Sequence, residues 1–134
     1  MRPKASFAAA VVSAGALGFA FACSSATSSN CGSGTPPSLV GTYVLQSLTI
    51  GGGAPLSPPQ ETGALRFHAT TYGVELTGAL VQADTGTYAI TGTSCITENG
   101  ITQFTGTFSL VGTTFTVSGA QASQAVASVW TKTS

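Results

Sequence analysis

The chain has 134 residues, enough for one hydrophobic core but not for two independent domains once an export segment is set aside. Charged residues make up only 6% of it, with four Lys and Arg in all. So few cations cannot build the basic face that a nucleic-acid binder needs to neutralise phosphates. The same shortage excludes a polybasic patch for anionic lipid, so any membrane attachment must come from the N-terminus.

Met1-Arg2-Pro3-Lys4 is followed by an almost uninterrupted apolar run from Ala5 to Ala22. After Cys23 the chain turns polar, through Ser24-Ser25-Ala26-Thr27-Ser28-Ser29-Asn30. A basic start, an apolar middle and a small-residue exit make residues 1–22 a secretory signal peptide. The segment resembles a bacterial lipoprotein signal, in which the cysteine at the cut site carries the lipid. In Ala20-Phe21-Ala22-Cys23, Ala22 fits the lipobox. Ala20 stands where leucine is usual, and Phe21 is bulky. Two other readings stay open. Ala20-Phe21-Ala22 also reads as an ordinary Ala-x-Ala site, which would release a secreted protein. The apolar run also approaches the roughly 20 residues that span a bilayer, although its alanines and two glycines make a weak permanent anchor. The leading expectation is lipidation of Cys23, of the palmitate type, with the protein held in the cell envelope. Ser24 rather than Asp follows the cysteine, which in similar lipoproteins goes with the outer membrane.

There are three cysteines, Cys23, Cys31 and Cys95. Export places them in an oxidising compartment, where an odd thiol is a liability. Lipidating Cys23 leaves an even pair, and the expected disulfide is Cys31–Cys95. The rival, for a secreted form, is Cys23–Cys31. None of these spacings is that of a zinc finger or a redox motif. Residues 23–38 are rich in Ser, Thr and Gly and end in Thr35-Pro36-Pro37-Ser38. They read as a tether, because nothing in them offsets the ordering entropy of a packed element.

From Leu39 to Ser134 the pattern changes to short β-branched and aromatic runs separated by glycine turns. Leu39 to Ile50 is the longest run, followed by Gly51-Gly52-Gly53 and a Pro-rich loop through Pro58-Pro59. Gly63 to Ala69 and Gly73 to Val81 come next. A turn is expected at Asp84-Thr85-Gly86, then a strand from Thr87 to Thr93. Ser94 to Glu98 leads into Asn99-Gly100, the strongest short hairpin signal. Ile101 to Leu110, Thr113 to Ser118 and Val126 to Lys132 complete the set, with one helical turn at most between Gly119 and Gln124. Phe104, Gly106, Phe108 and Leu110 share one face, and Gln103, Thr105, Thr107 and Ser109 the other. Phe115 and Val117, Leu65 and Phe67, Val74 and Leu76, and Tyr88 and Ile90 repeat the pattern. One apolar and one polar face per strand is the mark of an antiparallel sheet covered on one side. The expected fold is all-β: an antiparallel meander barrel of about eight strands, or else a β-sandwich.

Leu39-Val40-Gly41-Thr42-Tyr43-Val44-Leu45-Gln46-Ser47 resembles the first strand of bacterial lipocalin-like domains. Gly63-Ala64-Leu65-Arg66-Phe67 is similar to their second, and Gly86-Thr87-Tyr88-Ala89-Ile90 and Gly106-Thr107-Phe108-Ser109-Leu110-Val111-Gly112 to their later Gly-Thr-aromatic repeats. The only tryptophan, Trp130, lies in the last strand, where that family often has one in the first. The resemblance implies an antiparallel barrel with a small apolar cavity, and it transfers no catalytic residue.

The side-chain inventory points away from an enzyme. His68 and Asp84 are the only histidine and aspartate, and no Gly-x-Ser-x-Gly elbow accompanies them. His68 reads as an exposed strand residue, and Glu61, Glu75 and Glu98 as solvated carboxylates. No metal site and no cofactor is expected. Tyr43, Phe67, Tyr88, Phe104, Phe108, Phe115 and Trp130 are the candidates to line a cavity or fill a core. Trp130, on one face with Val126 and Ser128, is expected against the first strand, because closure pairs the last strand with it. The expected function is a lipid-anchored, non-catalytic binding module for a small apolar ligand, attached to the membrane through its N-terminal lipid. The alternative is a structural or interaction lipoprotein with a filled core. An interior of about 300 Å³ or more would favour the first.

Overall fold

A computed structural model describes residues 31–134. The signal segment, Cys23 and the first part of the tether lie outside the described residues.

Residues Ser33–Ser134 form one compact body. It contains eight strands: β1 (Gly41–Ile50), β2 (Glu61–Phe67), β3 (Thr71–Gly78), β4 (Gln82–Thr91), β5 (Cys95–Asn99), β6 (Gln103–Val111), β7 (Thr114–Gln121) and β8 (Gln124–Lys132). Each is hydrogen-bonded to the next, and β8 returns to β1, so the sheet is a closed antiparallel barrel. Closure leaves no edge strand to recruit a second chain. The β1–β8 register runs from Tyr43↔Lys132 to Ile50↔Val126, with Leu45 opposite Trp130 and a bulge between Leu45 and Ser47.

Strand alternation builds the interior. On β6, Phe104 and Phe108 are buried while Gln103, Thr105, Thr107 and Ser109 are exposed. β7 buries Phe115 and Val117, and β8 buries Ser128 and Trp130. Glycine also faces inward, at Gly106 opposite Gly119. A Cβ on either would run into the backbone of the other strand. The pair lets β6 and β7 bend tightly together, as a small barrel requires at its corners.

The antiparallel register gives the barrel two ends. Gly41, Phe67, Cys95 and Lys132 mark the end where the chain enters, and Ile50, Glu61, Gln82, Asn99 and Gln121 mark the far end. The chain also leaves at the entry end, where the Thr133 amide donates to Thr42 O at 2.7 Å. Cys31 and Cys95 are disulfide-bonded, the pairing expected over the rival Cys23–Cys31, and Cys31 is fully buried.

One local expectation is overturned. Asp84-Thr85-Gly86 is not a turn but lies inside β4. The turn falls before it, between Gly78 and Gln82, and Asp84 takes an inward position opposite Val74. The stretch from Gly119 to Gln124 forms no helical turn. It is the end of β7 and the start of β8, joined through Ala122, whose φ is 57°. The hairpin after Asn99 exists, but its connection is three residues long, Gly100 to Thr102, and Gly100 does not adopt the positive φ of a two-residue Asn-Gly turn.

Candidate functional site

The inward side chains divide the barrel into two unlike halves. Toward the entry end the aromatic rings pack against one another. Ring centroids lie 4.8 Å apart for Phe67–Tyr88, 5.3 Å for Tyr43–Phe115 and 5.9 Å for Phe108–Phe115. Edge-to-face and tilted contacts of this kind add about 0.5–1.5 kcal/mol each beyond the area they bury. The two phenols satisfy themselves on backbone carbonyls: Tyr43 donates to Leu39 O at 2.7 Å and Tyr88 to His68 O at 2.6 Å. Burial pushes both phenol pKa values up. This half is filled.

The half toward the far end holds a partly open cavity of about 100 Å³. Its apolar walls include Leu65, Phe104, Phe115 and Trp130, and Gln82, Thr102 and Gln121 stand around it at the strand ends. The indole N–H of Trp130 donates to Ser128 Oγ at 2.8 Å, so this buried ring carries no unmet donor. Of the seven aromatic candidates, Phe104, Phe115 and Trp130 line the cavity. Tyr43, Phe67, Tyr88 and Phe108 form the packed half, with Phe115 touching both.

Three ionisable side chains also line the cavity: Tyr72, Asp84 and Glu98. Asp84 is only 6% exposed. Its Oδ2 accepts from the Tyr72 hydroxyl at 2.9 Å and its Oδ1 from the Ile101 amide at 2.7 Å. Two accepting oxygens are the pattern of an ionised carboxylate. The Ile101 bond draws the β5–β6 connection over the strand ends, which is why Gly100 departs from a tight turn. A Cβ at Gly100 would collide with the Tyr72 hydroxyl and both Asp84 oxygens. Glu98, opposite Tyr88 on one side and Phe104 on the other, has its pKa raised to about 7. Loss of water around it is the larger cause, and the charge of Asp84 the second. Tyr72 is held well above its ordinary value by burial first, then by its hydrogen bond to Asp84.

Among the described residues the cavity has no cation of its own. The basic side chains between residues 31 and 134 are Arg66, His68 and Lys132, and none of them lines it. Arg66 and His68 are exposed. They border a wide-open groove of about 790 Å³ on the outer faces of β1 to β4, with Glu75, which is exposed as expected.

Two of the carboxylates expected in solvent are not there. Glu98 is half-buried at the cavity. Glu61 is fully buried at the start of β2, because it falls on the inward face with Leu65 and Phe67. Its Oε1 accepts from the Leu80 amide at 2.7 Å and so fastens the β3–β4 connection. Its Oε2 has no hydrogen-bond partner among the described residues. His68 lies in the exposed β2–β3 connection at the entry end, while Asp84 is engaged inside the barrel, so the two are not brought together. Among the described residues no group of three or more His, Cys, Asp or Glu is placed to hold a metal ion.

The acidic side of the cavity was open to reading from the sequence. Gln82, Asp84, Tyr88 and Ile90 alternate on one face. Taking Asp84-Thr85-Gly86 as a turn hid that period. No protein-family model, curated protein or solved structure matches the chain.

Proposed function

We propose that the chain is an exported, non-catalytic binding module of the bacterial cell envelope, anchored through a lipid on Cys23, whose barrel holds a small ligand. One observation carries this reading: half of the interior is packed, while the other half keeps a cavity with apolar walls and several polar side chains among its lining. That combination is the usual make-up of a small-molecule site. Its volume, about 100 Å³, is below the ~300–1,000 Å³ of ordinary ligand pockets. An apolar cavity of ~150 Å³ accepts benzene, so the enclosed part of a ligand is limited to about four or five heavy atoms, with the remainder outside. The same small volume favours the second reading, a structural envelope lipoprotein without a ligand.

Trp130 on the cavity wall is the only tryptophan and so reports occupancy. Titration of the purified full chain with short alkanols and other small apolar compounds should change its emission in a saturable way. An emission that does not respond to any of them leaves the structural reading. The anchor is tested separately: mass spectrometry of the native N-terminus should find an acylated Cys23, and an unmodified mature N-terminus or an intact Met1 segment refutes it.

A further inference from the structure

The cavity resolves its polar groups unequally. Asp84 is matched by two donors, Tyr72 and Ile101. Glu98 brings a second carboxylate to the same small space, and no basic side chain lines it. Buried charge is normally paired, because an isolated ion out of water is costly. Once Glu98 is ionised, two acidic groups with no cation between them among the described residues leave a deficit of positive charge. Phe104, Phe115 and Trp130 form part of the surrounding wall, and aromatic faces attract cations, indole most strongly. Beyond the cavity, the connections at the far end carry two large exposed apolar side chains, Val81 and Ile101, each 82% exposed.

We propose that the cavity is a binding site for a lipophilic organic cation, a primary or quaternary ammonium whose head group sits between Glu98 and the aromatic wall and whose alkyl tail leaves past the apolar tips at the far end. The size agrees. About 100 Å³ suits a head group such as trimethylammonium, which has about five heavy atoms with its first methylene. A bare metal ion fits less well, because the donor set is two carboxylates in an aromatic cage and no group of three or more ligating side chains is present among the described residues. The ligand also resolves the charge balance: the cation supplies what no side chain does.

The titratable groups facing Glu98 are Asp84 from β4 and Tyr72 from β3, with Tyr88 opposite it in the β4–β5 register. Tyr72 and Tyr88 both have pKa values raised above their ordinary phenol value. Glu98 is therefore the group that changes charge near neutrality, and cation affinity rises as it loses its proton.

This inference rests on the reading of the barrel as a ligand binder, and one experiment separates the two. The purified full chain is titrated, by calorimetry and by Trp130 emission, with hexyltrimethylammonium, hexylamine, 1-hexanol and hexanoate. The cations should bind at least tenfold more tightly than 1-hexanol at pH 8.5, and hexanoate more weakly than either. The preference should shrink severalfold at pH 5.5, and Glu98→Gln should bring cation and alcohol within about threefold of each other. If 1-hexanol binds as tightly as the cations in the unaltered chain, the cation site is wrong and the apolar binder stands. If a preference for cations survives unchanged in a folded Glu98→Gln protein, Glu98 is not its source and the proposal falls. If none of the four binds, both readings fall together.

Discussion

Glu98 makes the barrel's stability depend on pH near neutrality. Its folded-state pKa, about 7, lies above the ordinary value of 4.5. The folded protein therefore holds a proton that the unfolded chain has released over that interval. Stability is undiminished below the ordinary carboxylate range and falls as pH rises through about 7. The melting temperature of the unliganded protein should drop between about pH 5 and about pH 8, and Glu98→Gln should flatten the curve in that window. A melting temperature level across the window in the unaltered chain would mean that Glu98 is not desolvated as described.

At the scale of elements, the far-end connections are held by carboxylates reaching out of the strands. Glu61 fastens the β3–β4 connection through Leu80, and Asp84 fastens the β5–β6 connection through Ile101. Gly100→Ala tests the second fastening. The new methyl group meets Tyr72 and Asp84, so the connection must lift and the Ile101 amide loses its acceptor. A loss of about 1–3 kcal/mol is expected, the cost of an unmatched buried polar group, read as a lower urea midpoint. Hydrogen exchange at the Ile101 amide should quicken. Unchanged stability and protection would show that the Asp84 bond does not hold this segment. The strands themselves were legible, because period-two alternation writes the inward face directly, as in Phe104 to Leu110 and in Phe115 to Val117. Closure of β8 on β1 was legible from the need to bury edges, though the register that sets Leu45 beside Trp130 was not. The connections were not. Asp84-Thr85-Gly86 and Asn99-Gly100 carry turn chemistry, but an inward carboxylate and its partners on the neighbouring strand and the β5–β6 connection decided their conformation. Those partners are 12 and 17 positions away in sequence, beyond the reach of a local reading. For the same reason the aromatic candidates were recognisable as interior, but not their division into a packed half and a cavity wall.

For the whole molecule the disulfide matters most. Cys31 and Cys95 stand 64 positions apart. Cross-linking so long a loop restricts the unfolded chain by about 4 kcal/mol in the chain-entropy model. Domains of this size hold about 5–15 kcal/mol in all, so Cys95→Ser, or reduction of the native protein, should leave it close to marginal. Guanidinium unfolding with and without a reductant measures the difference. A midpoint that does not move on full reduction would mean that the barrel owes the link nothing.

The barrel's two ends also set where its contents come from. The chain enters and leaves at the aromatic-filled end, and the cavity lies toward the other. A ten-residue strand such as β1 spans about 33 Å, or about 25 Å of height at the usual barrel tilt. The opening at the far end is then a barrel's length from Leu39, where the chain runs into the first strand. A guest entering there would pass Val81 and Ile101 before it reached the aromatic wall. Whatever part of it exceeded the cavity would be left at the mouth, so a longer tail would change the apolar surface covered outside the barrel and not the hold on the head group.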